Sequence, residues 1–311
     1  GFFRRVDPAV RQRLVPFPDV PDESVTDRII RSITVLRNAF DHSEYDIVHA
    51  QDCISANAVG PCIRTIHHLD HFTTPILVEC HEKAVVMPYA RICVSRAVAE
   101  EVRQGWGLTP TVIGNGVDHQ RFAAAARTDH AASAARRRWR DRLGRYVLAV
   151  GGIEPRKGSI DLVESFATVR AADPGIALVF AGGETLFDYR DYREAFERRA
   201  RELGVEPVIL GTVAEDDLPS LVAACEVFAF PSTKEGFGLA AMEALAARRP
   251  VVARELPILR EVFGDSVTYA WSLDGRPLPG RQGPSVTVTL AEGSVLTVVV
   301  TDGRGAASDA V

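Results

Sequence analysis

One stretch of sequence decides the fold: Pro231-Ser232-Thr233-Lys234-Glu235-Gly236-Phe237-Gly238-Leu239-Ala240-Ala241-Met242-Glu243-Ala244-Leu245. A short apolar run at 226–230 precedes it and predicts a buried strand that ends at the Pro-Ser turn. Apolar residues recur at helical spacing after Gly238 and predict a helix that begins there. A strand, a glycine-containing loop and a helix form an anion site, because free amides at the helix start point at the ligand.

Two glutamates lie in this stretch, eight positions apart. Glu235 falls in the predicted loop and Glu243 inside the predicted helix, so the two carboxylates address different parts of one ligand. Gly236 and Gly238 let the backbone approach that ligand closely. The alternative interpretation is a surface loop with two solvated glutamates.

The segment resembles the Glu-x7-Glu signature of retaining, nucleotide-sugar-dependent glycosyltransferases of family four. Members of that family have the GT-B fold, with two facing Rossmann-like domains. The resemblance implies that Glu235 binds hydroxyls of the donor sugar and that Glu243 binds the nucleotide ribose. It also implies that loop amides hold the donor diphosphate, and it assigns the following residues to the nucleotide-sugar site: Gly236, Phe237, Gly238 and Leu239.

A second loop that bears on phosphate binding is Gly151-Gly152-Ile153-Glu154-Pro155-Arg156-Lys157-Gly158-Ser159. The order Arg-Lys-Gly disfavours a Walker loop, and the dinucleotide fingerprint G-x-G-x-x-G is absent. The loop resembles the family's Gly-Arg-x5-Lys-Gly element, in which an arginine and a lysine hold the donor diphosphate. Lys157 matches that lysine. Gly152 replaces the arginine, which leaves Arg156 as a substitute; the alternative for Lys157 is an ordinary lysine at a helix start.

The second half of the chain alternates strand and helix patterns, which predicts a doubly wound parallel sheet. Ligands of such sheets bind at the carboxyl ends of the strands. By the resemblance, Gly182 follows one such strand, and Val213 lies in a turn that borders the nucleotide base. The predicted strands are 146–150, 176–181, 207–210, 226–230 and 250–253, and the predicted helices lie near 159–171, 189–204, 216–224, 239–248 and 256–263.

In the first half, a cluster of polar residues, His67-His68-Leu69-Asp70-His71, follows a predicted strand at 62–66. A metal site is disfavoured because no second group of ligands occurs at a matching spacing. Thr65-Ile66-His67 resembles the family's Thr-x-His, whose histidine reaches the donor sugar across the cleft. His67 is therefore the candidate, His68 is the fallback, and a purely structural histidine is the alternative. The remaining patterns predict a helix from about 23 to 40 and strands at 46–50, 91–96 and 111–113.

The predicted domain plan has three parts: 1–123, an acceptor-side Rossmann-like domain; 124–270, a nucleotide-sugar-binding Rossmann-like domain; and a β-rich tail at 271–311. The first domain is expected to be incomplete, because no opening strand with a glycine-rich loop is present. A shift to alanine and arginine at 123–144 places the connection between domains there. The family resemblance extends from about 40 to 265. Strand patterns at 267–275, 285–290 and 296–303 then resemble part of a PKD-type or immunoglobulin-like module.

Composition excludes several classes of protein. A net charge of −5 and a pI near 5.9 give no electrostatic case for nucleic-acid binding. The five scattered cysteines indicate neither a disulfide framework nor a zinc site. There is no apolar run long enough to span a membrane, and the first residues lack the apolar core of a secretion signal. A cytoplasmic protein is predicted, with peripheral membrane contact left open.

The predicted function is a metal-independent glycosyltransferase that moves a sugar from a nucleotide-diphosphate donor, UDP- or GDP-linked, to an unknown acceptor with retention of configuration. The acceptor class, whether sugar, lipid or small molecule, stays open. His67, Lys157 and Glu235 are the predicted catalytic residues, and no metal or other cofactor is implied, because the chain has no Asp-x-Asp motif. The alternative is a truncated, inactive fragment whose β tail serves adhesion or carbohydrate binding.

Overall fold

The chain divides into two compact units, Gly1–Asn115 and Gly116–Val311. The computed structural model describes residues 6–183, 189–263, 267–273, 276–277 and 296–302. Both units contain parallel strands that alternate with helices, which confirms the predicted α/β class. The domain boundaries predicted after 123 and 270 stay predictions.

In the described part of the first unit, four parallel strands lie in the order β1-β2-β3-β4. Helices follow the strands, and their starts are fixed by side-chain caps: Asp52 accepts a hydrogen bond from the amide of Ser55, and Ser95 accepts one from the amide of Val98. The elements are α1 (Val25–Ala39), β1 (His49–Ala50), α2 (Cys53–Val59), β2 (Ile63–Ile66), α3 (Pro75–Val86), β3 (Ala90–Cys93), α4 (Arg96–Trp106) and β4 (Thr111–Val112).

The predicted strands of this unit and its first helix are confirmed, whereas α2 and α3 were not predicted. Both missed helices carry a local start signal. Asp52 and Ser55 form a capping box at α2, and Pro75 occupies the first turn of α3. The core of the unit lies between β2, β3 and the helices, where Ile66, Cys93 and Val98 are fully or almost fully buried.

Five parallel strands of the second unit, β5 to β9, lie in the order β9-β8-β5-β6-β7. Helices alternate with these strands as predicted, and each predicted boundary is within a few residues of the observed one. The elements are α5 (His119–Ala125), α6 (His130–Leu143), β5 (Arg145–Val150), α7 (Ser159–Ala172), β6 (Ile176–Ala181), α8 (Arg190–Glu202), β7 (Val208–Ile209), α9 (Leu218–Ala224), β8 (Val227–Phe230), α10 (Leu239–Ala246), β9 (Val251–Ala253) and α11 (Pro257–Phe263).

The strand order of this sheet places a topological switch point between β5 and β8. The chain passes from β5 to β6 and β7 on one side and then returns to place β8 and β9 on the other side of β5. The connection that follows β5 therefore runs to one side of the sheet, and the connection that follows β8 runs to the other side. A crevice forms at such a point, and it is where doubly wound sheets bind ligands.

The alanine- and arginine-rich stretch at 123–144 includes helix α6, which belongs to the second unit and packs on its helix α9. The indole of Trp139 donates a hydrogen bond to the hydroxyl of Ser220 at 3.0 Å, and the Arg140 guanidinium donates to the carbonyl of Ala224 at 3.2 Å. Most of this stretch is helical, and these two bonds anchor α6 to α9. The connection between domains predicted here stays a prediction. The alanines that suggested a linker also favour a helix.

The C-terminal strands continue the sheet of the second unit. They are β10 (Val267–Leu273), β11 (Arg276–Pro277) and β12 (Leu296–Asp302). β12 pairs antiparallel with β10 and, through Val300 opposite Val251, with β9. The predicted strand at 285–290 lies outside the described residues, and the resemblance to a PKD or immunoglobulin-like module stays a prediction.

Among the helices that the structure describes, none has both the length and the apolar character needed to cross a bilayer. All five cysteines are free thiols, and three of them, Cys62, Cys93 and Cys225, are buried. Burial raises the pKa of Cys93 to about 11 and that of Cys225 to about 12. These thiols are packing groups, as predicted.

Candidate functional site

The loops that follow β5, β6 and β7 are joined at the carboxyl edge of the second sheet. The amide of Gly151 donates to the carbonyl of Ala181 at 2.8 Å, and the amide of Gly182 donates to the carbonyl of Gly211 at 2.9 Å. A Cβ atom at position 182 would lie 2.2 Å from the carbonyl carbon and oxygen of Gly151. Only glycine therefore permits this approach of the two loops.

The loop after β5 is also joined to the loop after β8. Gly158 has a φ of +62°, and a Cβ atom there would lie 2.4 Å from the carbonyl oxygen of Pro231. The amide of Thr233 donates to the carbonyl of Arg156 at 2.8 Å. Both contacts cross the switch point between β5 and β8. They bring together two sequence motifs that are about eighty residues apart.

Two cations and one carboxylate meet at this crossing. Lys157 Nζ lies 2.6 Å from Glu235 Oε1, and Arg156 Nη1 lies 3.5 Å from the same oxygen. The Glu235 side chain is only 9% exposed, so its charge is largely removed from water and is compensated by the two cations. Arg156 also contacts Glu154, a buried carboxylate, at 3.1 Å. The cluster places basic groups where an anion would bind, with Glu235 as their present partner.

Two helices begin at this cluster after a glycine, which has no side chain to cap them, although the amide of Ile160 in α7 donates to the Tyr192 hydroxyl at 3.2 Å. Gly158 precedes α7 and Gly238 precedes α10, both in the left-handed conformation that favours glycine. The first amides of a helix have no intrahelical acceptor and carry the positive end of the helix dipole. Together with Lys157 and Arg156, these helix starts make the edge of the sheet suited to an anion such as a diphosphate.

A small cavity lies beneath the cluster. Ser232 is 1% exposed, and its hydroxyl has no hydrogen-bond partner among the described residues. The ammonium of Lys157 lies 5.5 Å from the centre of the Phe230 ring. The residues lining the cavity include Gly151, Gly152, Lys157, Ser159, Phe230 and Ser232.

The other predicted donor-site residues lie on the same sheet edge or on the adjoining helix. Gly236 is buried and Phe237 half-buried, and both lie in the loop before α10. Leu239 is the first residue of α10, and Glu243 lies one turn further into it. Val213 lies in the loop after β7, two residues after Gly211.

His67 belongs to the first unit, where it lies directly after β2 in a polar cluster. Its Nε2 lies 3.1 Å from Gln51 Oε1, and His49 Nε2 lies 2.8 Å from the hydroxyl of Thr65. Burial lowers the pKa of His67, and the neighbouring His68 lowers it further. The fallback residue, His68, forms an ion pair with Asp70 at 3.3 Å when it is protonated.

Three residues of the second-unit site were not singled out from the sequence: Glu154, Ser232 and Thr233. Each lies inside one of the two loops quoted for other residues. The signal for Glu154 was its position two residues before Arg156, because neighbouring opposite charges in a loop can pair. Nothing in the sequence indicates that the Ser232 hydroxyl is buried without a partner. In the described part of the chain, no group of three or more His, Cys, Asp or Glu side chains could hold a metal ion.

Two family models match the chain. Residues 2–121 match the model described as Glycosyltransferase Family 4, and residues 136–273 match the model described as Glycosyl transferases group 1. The matches begin and end outside the range of about 40 to 265 over which the motifs resembled the family, so that range was too short. Both units therefore carry glycosyltransferase sequence.

Curated proteins that are similar to this chain are named as sugar transferases. Phosphatidyl-myo-inositol mannosyltransferase of Mycobacterium tuberculosis is 28% identical over 239 residues, covering 72% of this chain and 58% of the relative. D-inositol 3-phosphate glycosyltransferase of Salinispora tropica is 35% identical over 277 residues, covering 76% of this chain and 57% of the relative. The chain thus spans a little more than half the length of these two relatives.

Solved structures show the same fold. Anabaena HepE in complex with UDP and glucose has a TM-score of 0.59 at 24% identity, covering 75% of this chain and 64% of that one. Sucrose-phosphate synthase from Thermosynechococcus elongatus has a TM-score of 0.60 at 20% identity, covering 79% and 65% of the two chains. The chain accordingly has the α/β fold with parallel sheets of the GT-B glycosyltransferases.

Proposed function

We propose that this chain, whose two units carry glycosyltransferase sequence, transfers a sugar from a nucleotide-diphosphate donor to an acceptor hydroxyl. One observation carries the proposal: Arg156 and Lys157 converge on Glu235 at the switch point of the second sheet, beside two helix starts that each follow a glycine. Such a site suits a ligand that is anionic at one end and carries hydroxyls at the other.

The donor diphosphate binds to Lys157, Arg156 and backbone amides at the starts of α7 and α10. Glu235 then exchanges its contact with Lys157 for hydroxyls of the donor sugar, and Glu243 binds the ribose of the nucleotide. His67, held neutral by its lowered pKa, offers a hydrogen bond to the sugar. The glutamate and histidine roles follow from the family motifs that these residues match.

In the reaction, the bond between the anomeric carbon and the diphosphate oxygen breaks, and its electron pair leaves with the nucleoside diphosphate. The acceptor oxygen forms the new bond on the same face of the sugar, so configuration is retained. The acceptor proton passes to the departing diphosphate. Preorganised cations and helix amides stabilise the charge that develops on that leaving group. Among these groups, Lys157 is the one that we assign to stabilising the departing diphosphate.

The relatives suggest where to look for an acceptor. Phosphatidyl-myo-inositol mannosyltransferase and D-inositol 3-phosphate glycosyltransferase both have inositol in their names. Because both names contain inositol, an inositol derivative is the first acceptor class to assay, beside simple sugars and lipids. The structure favours no particular nucleotide base.

Calorimetric titration of the full chain with UDP, GDP and ADP tests the donor site. Binding of one diphosphate in the micromolar range, weakened at least tenfold by Lys157→Ala and also weakened by Glu243→Ala, is expected, since a charge-assisted hydrogen bond contributes roughly 1.5–3 kcal/mol. A folded chain that binds none of the three would contradict the proposal and favour an inactive protein.

Transfer itself is measured with the matching sugar nucleotide and an inositol-phosphate, sugar or lipid acceptor. Proton NMR of the product then reports the anomeric configuration. A product with the configuration of the donor is expected. An inverted product would leave the donor site intact but would overturn the retaining part of the proposal.

A further inference from the structure

The proposed reaction gives no role to the hydroxyl of Ser232, which lies at this site. The residue is 1% exposed, and its Oγ has no hydrogen-bond partner in the described part of the chain. A buried hydroxyl that lacks a partner destabilises the folded state, because it has lost its bonds to water. Such a group in a binding site is explained when a ligand supplies the missing partner.

The surroundings of Ser232 indicate what that ligand group is. Its two chain neighbours hold the loop after β8 against the loop after β5: the carbonyl of Pro231 abuts Gly158, and the amide of Thr233 bonds to Arg156. Ser232 therefore lies between two fixed points. Lys157 and the Gly151-Gly152 backbone also line this cavity, together with apolar side chains such as Phe230, and Lys157 is the charged residue among them.

The size of the cavity narrows the choice of ligand group further. The space beneath the cluster accommodates about one water-sized group, which is too little for a sugar ring or a base. A phosphate oxygen has the required size. It is also the acceptor that forms the strongest hydrogen bonds with a hydroxyl donor.

We propose that the Ser232 hydroxyl donates a hydrogen bond to the diphosphate of the nucleotide-sugar donor. This inference rests on the proposed function, and it names a further binding residue of the same site. Ser232 then complements Lys157: the lysine supplies charge, and the serine fixes one phosphate oxygen in position. Without the ligand, the unpartnered hydroxyl lowers the stability of the folded state, and the ligand supplies the missing hydrogen bond.

The test compares Ser232→Ala with wild type in two measurements on the full chain. Calorimetry with the nucleoside diphosphate that wild type binds should show an affinity about tenfold lower for the variant, the loss expected for a hydrogen bond to a charged group. Thermal unfolding without ligand should show equal or higher stability, because the substitution removes an unsatisfied group. Inorganic pyrophosphate should lose affinity by a similar factor, which would locate the contact at the phosphates.

Ser220→Ala is a matched control. Ser220 is also buried, but its hydroxyl accepts from the Trp139 indole at 3.0 Å and donates to the Asp217 carbonyl at 2.8 Å. Its loss should lower stability and leave diphosphate affinity unchanged, the reverse of the Ser232 result. A second variant, Ser232→Cys, keeps a weak donor of similar size and should bind with intermediate affinity.

The outcomes separate this inference from the function on which it rests. If wild type binds a nucleoside diphosphate and Ser232→Ala binds it equally well, the assignment of Ser232 is wrong and the donor site stands. A Ser232→Ala variant that loses stability would show a structural serine and would also overturn the assignment. If wild type binds no nucleoside diphosphate or pyrophosphate, both proposals fail.

Discussion

At the scale of single residues, Glu235 has two incompatible partners. In the structure its carboxylate lies against Lys157 and Arg156, the cations assigned to the diphosphate, whereas the family motif assigns it to the donor sugar. Without a ligand it therefore acts as an internal competitor for the anion site. Donor binding has to replace this ion pair, since two anions cannot share one lysine without repulsion.

Glu235→Gln should accordingly change binding and turnover in opposite directions. Removing the charge frees Lys157 and ends the repulsion of phosphate, so affinity for the nucleoside diphosphate should rise severalfold. Sugar transfer should fall, because the amide is a poorer acceptor for sugar hydroxyls than the carboxylate. Calorimetry and a transfer assay measure the two effects.

A control for this variant is Glu164→Gln. Glu164 forms an ion pair with Arg199 at 2.7 Å on the surface of the same unit, and both side chains are well exposed. Such pairs contribute little, so binding and turnover should stay as in wild type. Weaker binding of the nucleoside diphosphate by Glu235→Gln would show that Glu235 shapes the loop and does not compete with the ligand.

His67 provides a prediction on pH at the same scale. Its pKa is lowered from the ordinary value of 6.5, chiefly by burial. As pH falls through that value, the unfolded state takes up a proton before the folded state does, so the folded state loses stability. Urea unfolding above and below this pH should show a larger loss for wild type than for His67→Gln. Equal pH dependence in the two proteins would contradict the burial of this imidazole.

At the scale of elements, the donor site depends on how closely neighbouring strand ends approach each other. Gly182→Ala would place a Cβ atom 2.2 Å from the Gly151 backbone and push apart the loops after β5 and β6. Stability should fall by roughly 1–3 kcal/mol, the range for overpacking, and diphosphate binding should be lost or strongly weakened. Thermal unfolding and calorimetry provide the readouts.

The matched glycine is Gly105, which lies inside α4 with open space around its Cβ position. Gly105→Ala should raise stability by about 0.5–1 kcal/mol, because alanine is the better helix former. Diphosphate affinity should not change. If both variants behaved alike, the close approach at Gly182 would have no role in the site.

At the scale of the whole molecule, the residues assigned to the diphosphate all belong to the second unit. Hydrogen exchange with and without the nucleoside diphosphate should therefore show its largest protection in two loops, 151–159 and 231–239. Binding stabilises only the states that contain the formed site, so amides in these loops should exchange more slowly. Stronger protection elsewhere would place the anion site in another part of the chain.

The predicted cytoplasmic location stays a prediction.

The sequence by itself determined most elements of the second unit and the identity of its motifs, although α6 lies in the stretch predicted to connect the domains. Strand and helix periodicity are properties of neighbouring residues, so β5 to β9 and their helices could be located from hydrophobic spacing alone. The same holds for the glycine loops and for the Glu-x7-Glu pair. Helix α2, with its short length and small residues, was missed because its signal is the cap and not the spacing.

Only the tertiary structure decided which groups meet. Lys157 and Glu235 are 78 residues apart, and their contact depends on β8 lying beside β5 and not beside β7. The buried, unpartnered hydroxyl of Ser232 depends on the same pairing, because it lies between contacts that join the two loops. Strand order is set by packing of the whole sheet, which no local pattern encodes. The motif residues of the site could therefore be identified from the sequence, whereas the order of the strands brings those residues into contact.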